Sequence, residues 1–221
     1  SRDIDVKSYG DIVSNNDGIR VQGIYGNDGN ITVYAAGDIT VRDSGSSYGD
    51  GIDASKRNNG NLLVTSLGSV SGNSEGIIAY HAYTGNITIQ ANNVTGSYGI
   101  SAEHYGTGTI DITANGDVIG HTDDGIYASN ASSEDTTITI AEGGSVSTSG
   151  PDADDFAIEA ISNGAIIVDN FGTVTGRVNL SNSNRFTNTG TWDLAGTTSD
   201  FNGNGSSLVV NEGLIIAASD S

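Results

Sequence analysis

A short phrase that recurs along the chain limits the possible fold more than any other feature of the sequence. Each copy holds two apolar residues separated by one other residue, and the copies lie at Gly29–Val33, Gly60–Val64, Gly85–Ile89, Gly108–Ile112, Thr136–Ile140 and Gly164–Val168. Apolar residues that alternate in this way have the period of a β-strand. Successive copies begin 31 residues apart at Gly29 and Gly60 and 23 residues apart at Gly85 and Gly108, which is the spacing of coils in a solenoid.

Two further phrases recur between these copies. A Gly-x-Val or Gly-x-Ile phrase occurs at Gly37–Ile39, Gly68–Gly72, Gly116–Gly120, Gly144–Val146 and Gly172–Gly176, and at Asn92–Gly96 without its first glycine. A Gly-Ile-x-Ala phrase occurs at Gly18–Val21, Gly51–Ala54, Gly76–Ala79, Gly99–Ala102 and Gly125–Ala128, with a relative at Ala157–Ala160. The three phrases follow one another in a constant order. Each unit is therefore expected to contain three short strands, separated by Gly, Asn, Asp and Ser residues that favour tight turns.

Stacking of these units accounts for their apolar residues. One unit cannot bury its apolar side alone, whereas stacked units bury it because each strand pairs in parallel with its copy in the next coil. The predicted inward columns are Ile31, Leu62, Ile87, Ile110, Ile138 and Ile166; Val33, Val64, Ile89, Ile112, Ile140 and Val168; Ile19, Ile52, Ile77, Ile100, Ile126 and Ile158; and Val21, Ala54, Ala79, Ala102, Ala128 and Ala160. A helical alternative fails because 32 glycines would destabilise it.

The sequence thus predicts an all-β chain, a single-stranded parallel β-helix with three short strands per coil and about eight coils. We expect one β-helix unit across residues 1–221, with regular coils over about 11–176, a partial coil before Ile31 and degenerate coils over 177–221. Phe186, Trp192 and Phe201 in the degenerate part indicate a wider coil or an approaching cap. The apolar strand Leu214–Ala218 has nothing after it to cover its edge, so the chain is expected to be a fragment of a longer protein.

Charge and composition exclude several classes of function. The net charge is −19, and the stretch from Asn58 to Gly176 contains no Lys or Arg. A surface for nucleic-acid phosphates needs clustered cations, so nucleic-acid binding is not expected. No apolar stretch is long enough to predict direct insertion of this segment into a membrane. There is no Cys, which excludes disulfides and thiolate zinc sites, and no cofactor is expected.

The three phrases in rotation resemble passenger domains of bacterial autotransporters of the pertactin and adhesin type. The late segments Phe186–Trp192 and Leu208–Gly213 are similar to phrases near the end of such passengers. The resemblance covers nearly the whole chain and implies a right-handed parallel β-helix. It also implies export through the outer membrane by a C-terminal translocator β-barrel of the full-length protein, and therefore an extracellular location, at the bacterial surface or after release.

A lateral stripe of aromatic residues is the predicted binding site. All nine Tyr and all three His lie before residue 130, and several of them follow or lie within the Gly-Ile strands, which superpose in a stacked coil. Ile78 and Tyr127 should both point outward, one position after the first isoleucine of their strands. Tyrosine clusters are effective interface anchors. The residues predicted to form this binding face are Ile78, Tyr80, His81, Tyr83, His104, Tyr105 and Tyr127.

Three other functions have partial support in the same sequence. Asp-rich turns at Asp123–Asp124 and Asp152–Asp155 contain oxygen ligands for calcium but match no calcium-binding motif. A polysaccharide lyase would share the fold, and His81, His104 and His121 are its candidate bases, but they belong to no recognisable acid–base constellation. Ice binding would need an outward threonine ladder, which is interrupted in the row Thr32, Leu63, Thr88, Asp111, Thr139 and Ile167.

These observations lead to a functional hypothesis without catalysis. We expect a secreted or surface-exposed bacterial adhesin segment that binds a host cell-surface or matrix protein through its lateral turns, with no catalytic residue, metal or cofactor. The alternatives are a released effector that acts as a ligand of a host receptor, or a self-associating module that forms homo-oligomers by lateral or coil-end stacking. A lyase-type enzyme is the alternative that involves catalysis.

Overall fold

The chain folds into a β-helix whose coils stack with parallel pairing. The computed structural model describes residues 2–24, 26, 28–42, 48–150, 152, 154–201, 203 and 205–217. Strands β1 to β25, numbered along the chain, form three sheets, and every strand pairs in parallel with its counterpart in the neighbouring coil. The predicted three-strand solenoid is therefore confirmed. No helix that could cross a membrane occurs among the described residues.

The first sheet contains the strands predicted from the Gly-Asn-Ile-Thr phrase. It has nine strands. They are β1 (Ile4–Ser8), β4 (Ile31–Ala35), β7 (Leu62–Ser66), β10 (Ile87–Ala91), β13 (Ile110–Ala114), β16 (Thr136–Ile140), β19 (Ile166–Asn170), β22 (Asn184–Asn188) and β24 (Ser207–Asn211). Alternate residues of these strands are buried from β4 to β22, as expected when one face of the sheet covers the core.

The second and third sheets contain the strands of the other two phrases. The second sheet has nine strands: β2 (Ile12–Ser14), β5 (Ile39–Val41), β8 (Val70–Ser71), β11 (Val94–Gly96), β14 (Asp117–Gly120), β17 (Ser145–Thr148), β20 (Thr173–Thr175), β23 (Thr191–Asp193) and β25 (Leu214–Ile216). The third has seven: β3 (Ile19–Gly23), β6 (Ile52–Lys56), β9 (Glu75–His81), β12 (Tyr98–His104), β15 (Ile126–Asn130), β18 (Ile158–Ser162) and β21 (Val178–Leu180). Seven coils thus have three strands, and the last two coils have two described strands each.

The coil boundaries differ from the prediction at both ends of the chain. The predicted partial coil before Ile31 is complete, because β1, β2 and β3 join all three sheets. The third strand of the seventh coil, β21, lies within the part predicted to be degenerate. Beyond it, Phe186 and Trp192 occupy columns that hold smaller apolar residues in earlier coils, and their ring centroids lie 4.8 Å apart. Larger side chains thus fill the core where the coils change shape.

The apolar columns form the core, and the third-sheet columns match the prediction completely. Ile19, Ile52, Ile77, Ile100, Ile126 and Ile158 pair in sequence, as do the Val21 and Ala54 to Ala160 positions. From Ile52 to Ile158 these side chains are fully buried. Burying an isoleucine in this way contributes roughly 1.5–3 kcal/mol, so the column is a continuous source of stability along the rod.

The predicted register of one first-sheet strand is wrong by two residues. Thr136, not Ile138, pairs with Ile110, and Ile138 lies in the column of Ile112. A shift of two residues keeps the same side chains inward, so the alternation of the sequence could not reveal it. Thr136 is fully buried and its hydroxyl lies 3.5 Å from the Ser162 hydroxyl. The outward row consequently contains Thr137 rather than Thr139.

Polar side chains at the turns connect successive coils. An oxygen of Asp3 accepts the Asn30 backbone N–H, and the same contact repeats from Asn30 to Asn61 and from Asn61 to Asn86, at 2.7–3.0 Å. Asp11 accepts the Asp38 backbone N–H in the same way just before a second-sheet strand, and Asp17 accepts the Asp50 N–H just before a third-sheet strand. The Asn and Asp residues of the repeat therefore satisfy turn N–H groups that lie outside the strand ladders.

The glycine of the Gly-Ile phrase is required by the close approach of stacked turns. A Cβ atom at Gly99 would lie 2.5 Å from the Gly125 carbonyl oxygen and 2.7 Å from Cγ1 of Val118. Equivalent contacts of 2.4–2.6 Å to the next coil occur at Gly51 and Gly76. Both neighbours are held by the ladder, so a side chain at this position would force neighbouring coils apart.

We predict that Gly99→Ala destabilises the protein by about 1–3 kcal/mol, the usual cost of overpacking a filled site. Gly10→Ala is the matched control, because a Cβ atom there has nothing within 4 Å, and it should change stability by less than about 0.5 kcal/mol. Urea unfolding followed by circular dichroism measures both. Equal midpoints for the two variants would contradict the proposed packing constraint.

Candidate binding face

The outer surface of the third sheet brings the predicted aromatic residues into rows. Ile78, Ser101 and Tyr127 pair with one another across β9, β12 and β15. The prediction that Ile78 and Tyr127 share an outward row is confirmed, with Ser101 between them. The adjacent row places Tyr80 beside Glu103. We call the surface formed by Ile78, Tyr80, Tyr98, Tyr105 and Tyr127 the tyrosine face.

Four tyrosines of this face form two pairs. The ring centroids of Tyr80 and Tyr105 lie 5.5 Å apart, and those of Tyr98 and Tyr127 lie 5.9 Å apart. Both pairs join residues of neighbouring coils, since the coil repeat sets the spacing of the rings. Tyr105 is 56% exposed, and the other three are half-buried. Rings held by each other lose little freedom on binding, which favours their use as interface anchors.

Carboxylates lie among these rings. The Tyr105 hydroxyl donates to Oε2 of Glu103 at 2.7 Å, and this hydrogen bond raises the pKa of Tyr105 to about 12. Burial, followed by the negative charge of Asp123, raises the pKa of Tyr98 to about 12. Burial also raises the pKa of Glu159, which pairs with Tyr127 in the outward row. The face therefore combines aromatic rings with carboxyl groups.

The face already contacts one cation of the chain itself. The guanidinium carbon of Arg57 lies 5.7 Å from the centroid of the Tyr80 ring, within the range of a cation–π interaction. At the N-terminal end of the row that contains Ile78, Arg20 forms an ion pair with Asp53 at 3.1 Å. These contacts demonstrate that the rings and carboxylates of the third sheet accommodate guanidinium groups.

His81 and His104 do not belong to the exposed face, and their inclusion in it was wrong. Both are buried, at 0% and 1% exposure, and their rings stack with centroids 4.8 Å apart and an interplanar angle of 4°. Period-2 alternation turns these last strand residues inward, next to the turn that follows. They are thus unavailable both to a partner and to a substrate.

The two histidines instead form part of a ladder of polar contacts at the corner. Nε2 of His81 lies 2.7 Å from the Gly60 carbonyl oxygen, and its Nδ1 accepts the Tyr83 N–H. His104 repeats both contacts one coil later. Asn130 also repeats them, donating to the Gly108 carbonyl and accepting the Ser132 N–H. An imidazole that donates through Nε2 and accepts at Nδ1 is neutral, so the ladder selects uncharged histidine.

Tyr83 and the Asp-rich turns lie outside the paired tyrosines. Tyr83 is 45% exposed in the turn after β9 and belongs to neither pair. Asp124 accepts the Phe156 N–H at 2.7 Å, and burial raises its pKa to about 7. Asp155 accepts the Asp152 N–H at 2.8 Å. Within the described residues, no group of three or more His, Asp or Glu side chains could hold a metal ion.

Comparison with known proteins gives no further guide to function, because no protein-family model, curated protein or solved structure matches the chain. Sequence reasoning missed Tyr98 and Glu103 as members of the site. Tyr98 precedes the Gly-Ile phrase, and counting back in steps of two from Ile100 predicts it on the inward side of a continuous strand. Tyr98 is instead the first residue of β12, and its ring lies beside that of Tyr127.

We predict that the double variant His81→Asn/His104→Asn loses less unfolding free energy than the wild type when the pH is lowered. Burial lowers the pKa of His81 to about 4 and also lowers that of His104, against an unfolded value near 6.5. The unfolded state therefore binds more protons between these values, and stability is lost as the pH falls from about 6.5 towards 4. The loss at His81 is roughly 1–3 kcal/mol, and His104 adds to it in the same direction.

The measurement is the free energy of unfolding at pH 7 and pH 4.5 for both proteins. Asparagine reproduces the contacts of Asn130, so the variant should fold at pH 7 and lose less stability on acidification. Burial raises the pKa of Asp50 to about 8, and the stability linked to such carboxyls is lost as the pH rises, the opposite direction. These groups are present in both proteins and cancel in the difference. Equal acid sensitivity of the two proteins would refute the histidine assignment.

Proposed function

We propose that this chain is a non-catalytic binding segment whose tyrosine face engages a basic surface on a host cell-surface or matrix protein. The β-helix acts as a stiff support, because each coil is fixed by pairing on both sides. The single observation that carries the proposal is the presence of two tyrosine pairs on adjacent coils, with the Glu103 carboxylate hydrogen-bonded to Tyr105.

The chemistry of the face favours a cationic partner. Tyrosine rings attract Lys and Arg side chains through their π faces, and nearby carboxylates add direct charge pairing. The cation–π contact between Arg57 and Tyr80 provides an intramolecular precedent. The net charge of −19 would accelerate the approach of a basic partner and repel an acidic one. Binding should therefore weaken with increasing salt.

The roles of the histidines support a function without catalysis. His81 and His104 are buried in the corner ladder as neutral groups, and His121 lies 3.3 Å from the Ser149 hydroxyl on an exposed turn. The contacts of His81 and His104 serve the stacking of coils, and the Ser149 hydroxyl beside His121 donates to the Gly120 carbonyl at 3.3 Å. A lyase role has no comparable observation in its favour.

The resemblance to autotransporter passengers provides the context of the proposal. In that context the segment is extracellular, and a translocator β-barrel elsewhere in the full-length protein exports it. The repeated phrases that carry this resemblance are those that build the coils, so they support the architecture most directly. The partner is inferred from the tyrosine face alone.

The test compares binding to cultured mammalian cells for the wild type and Tyr80→Ser/Tyr105→Ser/Tyr127→Ser. Loss of three anchors should weaken binding at least tenfold, since truncating a single hot spot costs about 2 kcal/mol or more. Flow cytometry with the fluorescently labelled chain measures the affinity. Repeating the titration at two salt concentrations checks the charge component.

Tyr9→Ser/Tyr34→Ser is the matched control. These two rings form a pair with centroids 5.9 Å apart, and Tyr34 lies on the first sheet, away from the tyrosine face. This variant should bind as the wild type does, and circular dichroism should show both variants folded. Equal affinity of all three proteins would remove the tyrosine face from consideration.

Two alternative modes would use the same chain differently. A released effector would bind its receptor as a soluble monomer, whereas a self-associating module would form pairs of rods. Apolar side chains exposed on β24 and β25, including Leu208 and Leu214, favour the second mode. If rods self-associate, light scattering should give a mass that rises with concentration above that of one chain. A constant monomer mass at high concentration would argue against this mode.

A further inference from the structure

A second candidate site lies where the third sheet ends. The residue just before the first isoleucine of each third-sheet strand is glycine in five successive coils and alanine in the sixth. These residues are Gly18, Gly51, Gly76, Gly99, Gly125 and Ala157. In the seventh coil the equivalent position is occupied by Arg177, because the next residue, Val178, pairs with Ile158. A long side chain fits there only because the described part of the eighth coil adds no third-sheet strand beyond β21.

A loop after β23 lies where the next third-sheet strand would pair, and it borders open clefts around Arg177. After β23 the chain touches β21 through a bridge between Asn179 and Asp200. Ser199 accepts the Val178 N–H at 3.0 Å, so the loop is hydrogen-bonded to the end of the sheet. Two cavities result, of about 450 and 520 Å³, and both are lined by Arg177 and Thr198. These volumes are within the range of small-molecule sites.

The Arg177 guanidinium has donor capacity that the protein leaves unused. Its carbon lies 4.2 Å from the centroid of the Phe156 ring, which fixes the plane of the group. Its Nη2 atom is buried and has no hydrogen-bond partner. A buried donor without a partner costs free energy, which a shift of the group towards a ligand oxygen in the adjoining cavity would recover. A guanidinium held flat in this way is suited to bidentate binding of a carboxylate.

The other lining residues define the rest of the ligand. Phe156 and Phe201 provide apolar walls, and Thr198 and Asn179 provide neutral polar groups. Asp200 lines the first cavity, and Asp152 and Asp155 line the second. These carboxylates disfavour every negative charge on a ligand, so a doubly charged anion such as phosphate is repelled most and a single carboxylate fits only against Arg177. A molecule with one carboxylate and several hydroxyl groups would pair its carboxylate with the guanidinium and donate its hydroxyl groups to the lining carboxylates.

We propose that the cavities around Arg177 bind a monocarboxylated sugar, such as a sialic or hexuronic acid residue of a glycan. The sugar carboxylate accepts from the Arg177 guanidinium, its hydroxyl groups donate to the carboxylates of the lining, and its apolar ring face packs against the aromatic walls. No bond is made or broken. The site is separate from the tyrosine face in its residues and its ligand.

The test titrates the chain with the methyl glycoside of N-acetylneuraminic acid, glucuronate, galacturonate, glucose and acetate. Saturation-transfer NMR and calorimetry measure the binding. At least one of the three acidic sugars should bind at least tenfold more tightly than glucose and acetate. The comparison among the acidic sugars distinguishes sialylated from uronate-containing glycans. Binding of acetate as tightly as the acidic sugars, or no binding of any of them at millimolar concentration, would overturn the proposal.

Two variants assign the binding to this site. Arg177→Gln keeps the length of the side chain but removes the charge, and should weaken binding of the acidic sugar at least tenfold. Arg185→Gln is the control, because Arg185 pairs with Asp169 on the first sheet, and it should leave binding unchanged. Unchanged binding by a folded Arg177→Gln protein would overturn the assignment.

A third variant covers the case in which Arg177→Gln fails to fold. Thr198→Phe fills the space shared by both cavities without removing the guanidinium and should also weaken binding at least tenfold. Tyr80→Ser/Tyr105→Ser/Tyr127→Ser should bind the acidic sugar as the wild type does, so failure of the tyrosine face and failure of this site are distinguishable. Wild-type affinity in the folded Thr198→Phe variant would contradict the location.

Discussion

Parallel hydrogen bonding between equivalent strands of successive coils is the interaction on which the rest of this molecule depends. It places each residue above its counterpart, so isoleucines stack on isoleucines and turn residues stack on turn residues. The glycine positions follow from it, because the turns approach too closely for a Cβ atom at Gly99. Stacking also joins the few apolar residues of each unit into a continuous core.

The same stacking explains how polar groups are distributed. Side chains such as Asn30 accept turn N–H groups of the next coil, while His81 and His104 span the corner with two contacts each. The acidic and amide residues that appear as solvated turns in the sequence thus have structural partners. The tyrosine face arises in the same way, since the coil spacing sets the distance between Tyr80 and Tyr105.

Departures from the repeat concentrate at its end. Among the described residues the third sheet stops at β21 while the other two continue, and the loop after β23 borders the cavities around Arg177. The regular coils provide a lateral surface suited to a protein partner, whereas the interruption provides open clefts suited to a small ligand. The two proposed activities therefore use the two kinds of surface that a solenoid offers.

The sequence by itself determined the coil, its three strands and the third-sheet columns, because alternation and glycine spacing are local properties that every copy repeats. It did not determine the register of β16, where a shift of two residues preserves the alternation and only pairing with β13 places Thr136 opposite Ile110. The alternation did separate His81 from Tyr80, because it turns His81 inward with Ile77 and Ala79, and grouping the two by residue type overlooked it. The site at Arg177 depends on a strand that is missing, and only contacts between distant segments decide where that space lies.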